Sequence, residues 1–312
     1  MSSEFDRFVF EHKALPEIDY AEVDSSVSFL GKTMRMPLIM HVRHLENEKL
    51  FKMRHQLAEV AAECKIALSI DCAHLEVHDC MDIAESVENI PLILTVPVMH
   101  LKQDAQREEL FNMVETLRAD ALMLHINPMF DLFCSEMGGA FSGLLQHIRA
   151  LCSTLDVPVL AREGGCGISV DVARKLFAAG VKGVDCSGKN DGIPLFAVED
   201  IVMQRVLDSF RHWGRSTTAM LSELHKAFPR ELIIASGNIN TGLDVAKSLA
   251  LGANLCLLDH QIIERMLQNR TTCENYIEEL RCGLKTAMFL SGSRTIQELR
   301  DRHLLVEEYN LA

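Results

Sequence analysis

Eight short apolar runs punctuate the chain at near-regular intervals, and each is followed by a longer stretch with helical periodicity. The runs are PLIMHV (37–42), IALSI (66–70), PLILTV (91–96), ALMLHI (121–126), PVLAR (158–162), KGVDC (182–186), ELIIA (231–235) and ANLCLL (253–258). A strand buried on both faces reads as a nearly unbroken apolar run, which is how parallel sheets covered by helices look. The segments between include LENEKLFKMRHQLAEVAAEC, DAQREELFNMVETLR, SVDVARKLFAAG and TGLDVAKSLALG. The last two close on Gly180 and Gly252, as a helix C-terminus should. Eight β-then-α units with no low-complexity linker predict α/β architecture closed into one (β/α)8 TIM barrel over residues 1–312, with 1–35 an N-terminal extension before the first barrel strand. A doubly wound sheet uses the same alternation but usually fewer strands.

The 312 residues are 48% hydrophobic, enough apolar mass for one core of that size. A net charge of −13 excludes a general nucleic-acid or anionic-membrane binder, which needs a basic footprint, but leaves room for a local basic pocket. The N-terminal MSSEFDRFVFEHK reads as neither a signal peptide nor a membrane span. Ten cysteines, scattered from Cys64 to Cys282 without a C-x-x-C pair, read as reduced thiols of a cytoplasmic protein.

Barrels of this kind place their site at the C-terminal ends of the strands. The residues just past each run are therefore the candidates. They comprise His41, Arg43 and His44; Asp71, Cys72 and His74; Pro97, His100 and Lys102; His125, Asn127 and Asp131; Arg162 and Glu163; Asp185, Ser187 and Lys189; Ser236 and Asn238; Asp259 and His260. Polar residues gather wherever strands meet loops, but charged groups converging from different strands exceed what packing requires. Two glycine-rich junctions stand out. In ASGNINTGLDVAKSLALGA a buried strand runs into a Ser236-Gly237-Asn238 turn and a helix starting near Thr241, a geometry that offers backbone N–H groups to a phosphate. In AREGGCGIS, Gly164, Gly165 and Gly167 permit close backbone approach, and Arg162 with Glu163 offers an anion anchor and an acid/base, or merely a salt bridge.

These pieces resemble the type 2 isopentenyl-diphosphate isomerases, FMN-dependent (β/α)8 enzymes. HKALPEIDYAEVDSSVSFLGK (12–32) is similar to that family's H-x-A-L-P-E opening and its F-L-G-K, and HINPMFD (125–131) to its H-L-N-P-x-Q-E. GGCGIS, AAGVKGVDCSG, ASGNINTGLDVAKSLALGA and LKTAMFLSGSRTIQEL come in the family's order. The resemblance implies double-bond migration in a C5 diphosphate, with reduced FMN beside the substrate, Mg²⁺ on the diphosphate and a homo-oligomeric assembly. It implies Ser187, Gly188, Ser236, Gly237, Asn238 and Gly242 as cofactor-binding positions. It implies His125, Asn127, Arg162 and Glu163 as catalytic positions, and Asp131 as the metal ligand.

The chemistry positions depart from the family pattern. The Gln beside the alkene is Phe130, and the metal-binding Glu is Asp131. The Met-Thr-Gly-Gly loop that makes room for the flavin reads HVRH, placing His41, Arg43 and His44 there. Gly-Ser-Gln-Arg reads Asp71-Cys72-Ala73-His74, which loses an arginine for the diphosphate. The strand-five lysine is Arg162, the second glycine of Ser-Gly-Gly is Asn238, and the phosphate's final cradle is Asp259-His260. A carboxylate beside a phosphate is repulsive. Three functions fit such a barrel. One is a divergent enzyme acting on an isoprenoid diphosphate, its FMN site weakened or lost, with Mg²⁺ at Asp131 and anion contacts from Arg43, Lys102 or Arg162. Another is a metal-dependent barrel of other chemistry, built from His41, His44, Asp71, His74, His125 and His260. The third is a non-catalytic homologue kept as a subunit or binding protein.

Overall fold

In the computed structural model, described over residues 4–43, 48–73, 77–134, 139–188, 200–210, 212–301 and 305–307, all eight runs are strands of one closed parallel barrel. They are β1 Leu38–Val42, β2 Ala67–Asp71, β3 Leu92–Pro97, β4 Ala121–Ile126, β5 Val159–Gly164, β6 Gly183–Ser187, β7 Leu232–Ser236 and β8 Leu255–Leu258. Each pairs with the next in sequence, and β8 closes onto β1 through Cys256 opposite Leu38. The outer elements are α1 Glu48–Cys64, α2 Met81–Ser86, α3 Asp104–Thr116, α4 Pro128–Cys134, α5 Leu144–Thr154, α6 Val170–Ala178, α7 Ile201–Ser209, α8 Thr217–Ala227, α9 Gly242–Ala250, α10 His260–Gln268, α11 Arg270–Leu290 and α12 Ile296–Asp301.

Strand alternation divides the buried residues into two cores. Leu38, Met40 and Val42 point outward into the large core shared with the helices, while Ile39, Ala67, Ile93, Ala121, Met123, Leu160, Ile234, Leu255 and Leu257 fill the barrel. The extension contributes to that inner core. Strands Val27–Phe29 and Lys32–Met34 form a hairpin whose Phe29 and Met34 pack among the inward residues. Its turn takes positive φ at both Leu30 and Gly31, the twist a two-residue hairpin needs. A second short pair joins Phe8–Phe10 to Leu305–Glu307.

The helix ends obey the expected chemistry. Thr241 caps α9 through the amide of Asp244, and Asp244 returns the bond in a capping box. Gly180 and Gly252 have φ of +107° and +116° after α6 and α9. Gly237 and Asn238 both adopt positive φ, so asparagine keeps the turn that glycine would allow. Among the described residues no helix is long and apolar enough to cross a membrane.

Candidate active site at the barrel mouth

Two residues beyond the inward apolar layer, the same alternation delivers polar side chains. Ile39 is followed by His41, Ala67 by Ser69, Ile93 by Thr95, Met123 by His125, Leu160 by Arg162, Ile234 by Ser236 and Leu257 by Asp259. Asp185 enters from β6 beside Arg162. Most of this layer is withdrawn from water, with Asp185 at 0% exposure and Arg162 at 7%.

Its centre is a chain of charges. Arg43 Nε donates to Asp259 Oδ1 at 2.7 Å and Arg162 Nη2 to Oδ2 at 3.3 Å. Arg162 Nε lies 3.2 Å from Asp185 Oδ2, an ion contact without hydrogen-bond alignment, and both atoms lack any other partner. Ser236 Oγ donates to the other oxygen of Asp185 at 2.7 Å. Burial would raise the Asp259 carboxyl, but His41, Arg162 and Arg43 together hold it well below the usual carboxylate range. Asp185 has less compensation. Burial pushes it up to about 6, against the pull of Arg162 and Ser236.

Beside this chain runs a neutral relay across three strands. His41 Nδ1 is 3.0 Å from Ser69 Oγ, and Ser69 Oγ is 2.8 Å from Thr95 Oγ1. Burial, then the Arg162 charge, pushes His41 well below the ordinary imidazole value, and the same two causes bring His125 down to about 4. Both rings are therefore neutral near pH 7. His125 lies across Gly164, where any Cβ would strike its Nε2. Asn127 holds the same strand end by donating from Nδ2 to the Gly164 carbonyl at 3.2 Å, and its Oδ1 accepts the Phe130 amide at the start of α4. Asp131, on the first turn of α4, is 7% exposed and burial raises its carboxyl to about 6.

Other predicted residues make contacts of their own within the fold. Glu163 is the outward neighbour of Arg162 on β5. Its Oε2 accepts the amides of Gly165, at 3.2 Å, Cys166, at 2.7 Å, and Gly167, so it staples the glycine-rich loop from beneath. Burial still raises it to about 7 despite those three donors. Gly242 faces away from the barrel axis onto α11, where a Cβ would meet Leu280 O and the backbone of Gly283 and Leu284. Gly188 is held by Thr217, whose Oγ1 accepts its amide and donates to the Ser236 carbonyl, each at 3.0 Å. Lys102 donates to the Ala140 carbonyl. Asp71 folds back to accept the Ala73 amide at 3.0 Å. His44 and His74 lie outside the described residues. Among the described residues no group of three His, Cys, Asp or Glu side chains could hold a metal ion.

Sequence reasoning missed Ser69, Thr95, Thr217 and Glu4. Glu4 Oε2 accepts both the amide and Oγ1 of Thr218 at 3.1 Å, in the first turn of α8, and Oε1 lies 3.4 Å from Asn238 Nδ2. Among the described residues the mouth holds a cavity of about 80 Å³, lined by Arg43, Arg162, Ser187, Ser236, Asp259 and His260 among others. That is room for roughly three waters.

Solved oxidases share this barrel fold. The lactate oxidase of Pediococcus acidilactici superposes over 98% of this chain and 84% of its own, with TM-score 0.73 at 16% identity. A mandelate oxidase carrying an FMN adduct does so over 98% and 89%, with TM-score 0.71 at 18% identity. The family model of FMN-dependent dehydrogenases matches residues 144–306. Curated relatives narrow this. Isopentenyl-diphosphate delta-isomerase of Chlorobaculum parvum is 32% identical over 95% of this chain and 88% of its own length. Those of Pelodictyon phaeoclathratiforme and Metallosphaera sedula are 33% and 30% identical, over 97% and 95% of this chain and 90% and 84% of their own lengths. The chain belongs to the type 2 isopentenyl-diphosphate isomerase family.

Proposed function

We propose that this member of the family acts on an isoprenoid diphosphate and does so without FMN. The observation that carries the second half is the Arg43–Asp259–Arg162–Asp185 chain. Both arginines of the cavity spend their charge on carboxylates of the protein itself, so neither is free to face an electron-rich flavin. The other donor groups are spent likewise. The amides of Gly165, Cys166 and Gly167 serve Glu163, and Asn238 with the start of α8 serves Glu4. The residues present do not fit the flavin.

Mg²⁺ is a better match. It needs only one or two protein carboxylates when a substrate's phosphates complete its shell. Asp131 would supply one, and the ion would offset diphosphate charge there. His125 is the proton-handling group of this reading. Its ring is neutral, is held across Gly164, and belongs to the strand that leads into α4. Asn127 positions both the strand end and the helix start.

The test is binding. Isopentenyl and dimethylallyl diphosphate at millimolar concentration, with Mg²⁺, should raise the melting temperature by several degrees, and the rise should shrink without the metal. No shift with either compound would remove the isoprenoid reading. The non-catalytic reading would then stand, favoured by the same neutralised arginines.

A further inference from the structure

Six large apolar side chains that face solvent come from thirteen consecutive positions. Ile201, Val202, Met203 and Val206 belong to α7, and Phe210 and Trp213 to the turn after it, at exposures from 38% to 70%. Leu207 is the buried residue that anchors this helix. A helix on the outside of a barrel normally shows polar side chains to water. Phe210 and Trp213 already pack edge to face, with centroids 5.5 Å apart, so the patch is assembled without a partner.

We propose that this face is where two copies of the chain pack together, α7 against α7 about a two-fold axis. The area fits. At these exposures the six side chains offer ~600 Å² of apolar surface, against ~800 Å² per partner in a standard interface of which a little over half is apolar. The charge fits as well. Residues 200–215 carry three arginines and two aspartates, a net of +1, whereas the whole chain carries −13. The repulsion between two copies is thus carried elsewhere on the surface. An apolar helix face is self-complementary, as an isologous contact requires. The family resemblance implies an oligomer without locating its contact, and a contact through α7 is independent of the proposed chemistry.

Trp213 is the only tryptophan in the chain and sits in the patch, so it reports directly. On dilution of the intact protein, its emission should shift to the red over the same concentration range in which the light-scattering mass falls two-fold. Val206→Asp should give the monomer mass and red-shifted emission at every concentration. Ile201→Asp, at a position 70% exposed, gives the same reading should the first variant fail to fold. Leu267→Asp, on α10 and 49% exposed, should leave the mass unchanged. A wild-type protein that stays monomeric at tens of micromolar overturns the proposal. So does an assembly whose mass neither α7 variant alters. A blue shift with phosphatidylcholine vesicles and no protein dimer would reassign the face to a lipid surface.

Discussion

Asp131 carries the clearest pH signature of any single residue at the mouth. Its carboxyl is raised from 3.8 to about 6 by burial alone. Well below pH 3.8 it is protonated in folded and unfolded chains alike. As pH climbs through 6 the folded protein must ionise a buried group that the unfolded chain ionises freely, so stability is lost across that window and stays lost above it. Asp131→Asn removes the penalty. The variant should match wild type in urea at about pH 3 and exceed it at pH 8, by at most about 3 kcal/mol for a shift of this size. Equal stabilities at pH 8 would mean the carboxyl is solvated. Mg²⁺ with a diphosphate should narrow the gap by stabilising wild type alone. Asp131 was legible in the sequence from its place after a strand, as were Arg43, Arg162 and Asp259. Glu163 was legible too, but its side was misjudged. Strand parity puts Arg162 inward and its neighbour outward, a signal already present in PVLARE. Glu4 was not legible, because it meets Thr218 across 214 residues and no local pattern announces that contact.

The junction of α9 with α11 shows what a glycine signal means at the level of an element. Gly242 opens α9 directly after the capping residue, and Gly283 lies on α11 opposite it, the two Cα positions close enough that neither tolerates a side chain freely. By its sequence motif, Gly242 belonged to a phosphate cradle. In the fold it lets two helices touch. Gly242→Ala should cost more than the 1–3 kcal/mol typical of overpacking, because the atoms in the way are backbone of α11 rather than side chains that can rotate. The check is a urea midpoint, with the curve slope unchanged. A cost under 0.5 kcal/mol would show that α11 shifts to accommodate the methyl. Strands were the easiest elements to read, since burial on both faces leaves an unbroken apolar run. The hairpin of residues 27–34 was harder. Its two strands are three residues each, too short for periodicity to register, and their burial comes from the barrel floor they cover.

Across the whole molecule, three carboxylates stand at three groups of donors. Asp259 takes the arginines of the cavity, Glu163 the amides of the loop after β5, and Glu4 the first turn of α8 together with the side chain of the turn after β7. They come from distant parts of the chain; Asp259 and Glu4 stand where a bound anion would find hydrogen bonds, while Glu163 holds its loop from the outer side of β5. An FMN molecule would need to displace at least one of them, leaving a buried or half-buried carboxylate without its partners. That loss costs several kcal/mol per group. The freshly purified protein should therefore show no flavin band between 300 and 500 nm. Denaturation should release none, and FMN titrated to tenfold excess should leave both the spectrum and the melting temperature unchanged. The Asp259→Ala variant frees Arg43 and one arm of Arg162, which still faces Asp185, so weak FMN uptake by that variant alone would agree with displacement as the barrier. Flavin released from wild type near one per chain would mean that the carboxylates in its way move aside. The charged mouth would then be a closed state of the family's site, and isomerisation under reducing conditions the next assay.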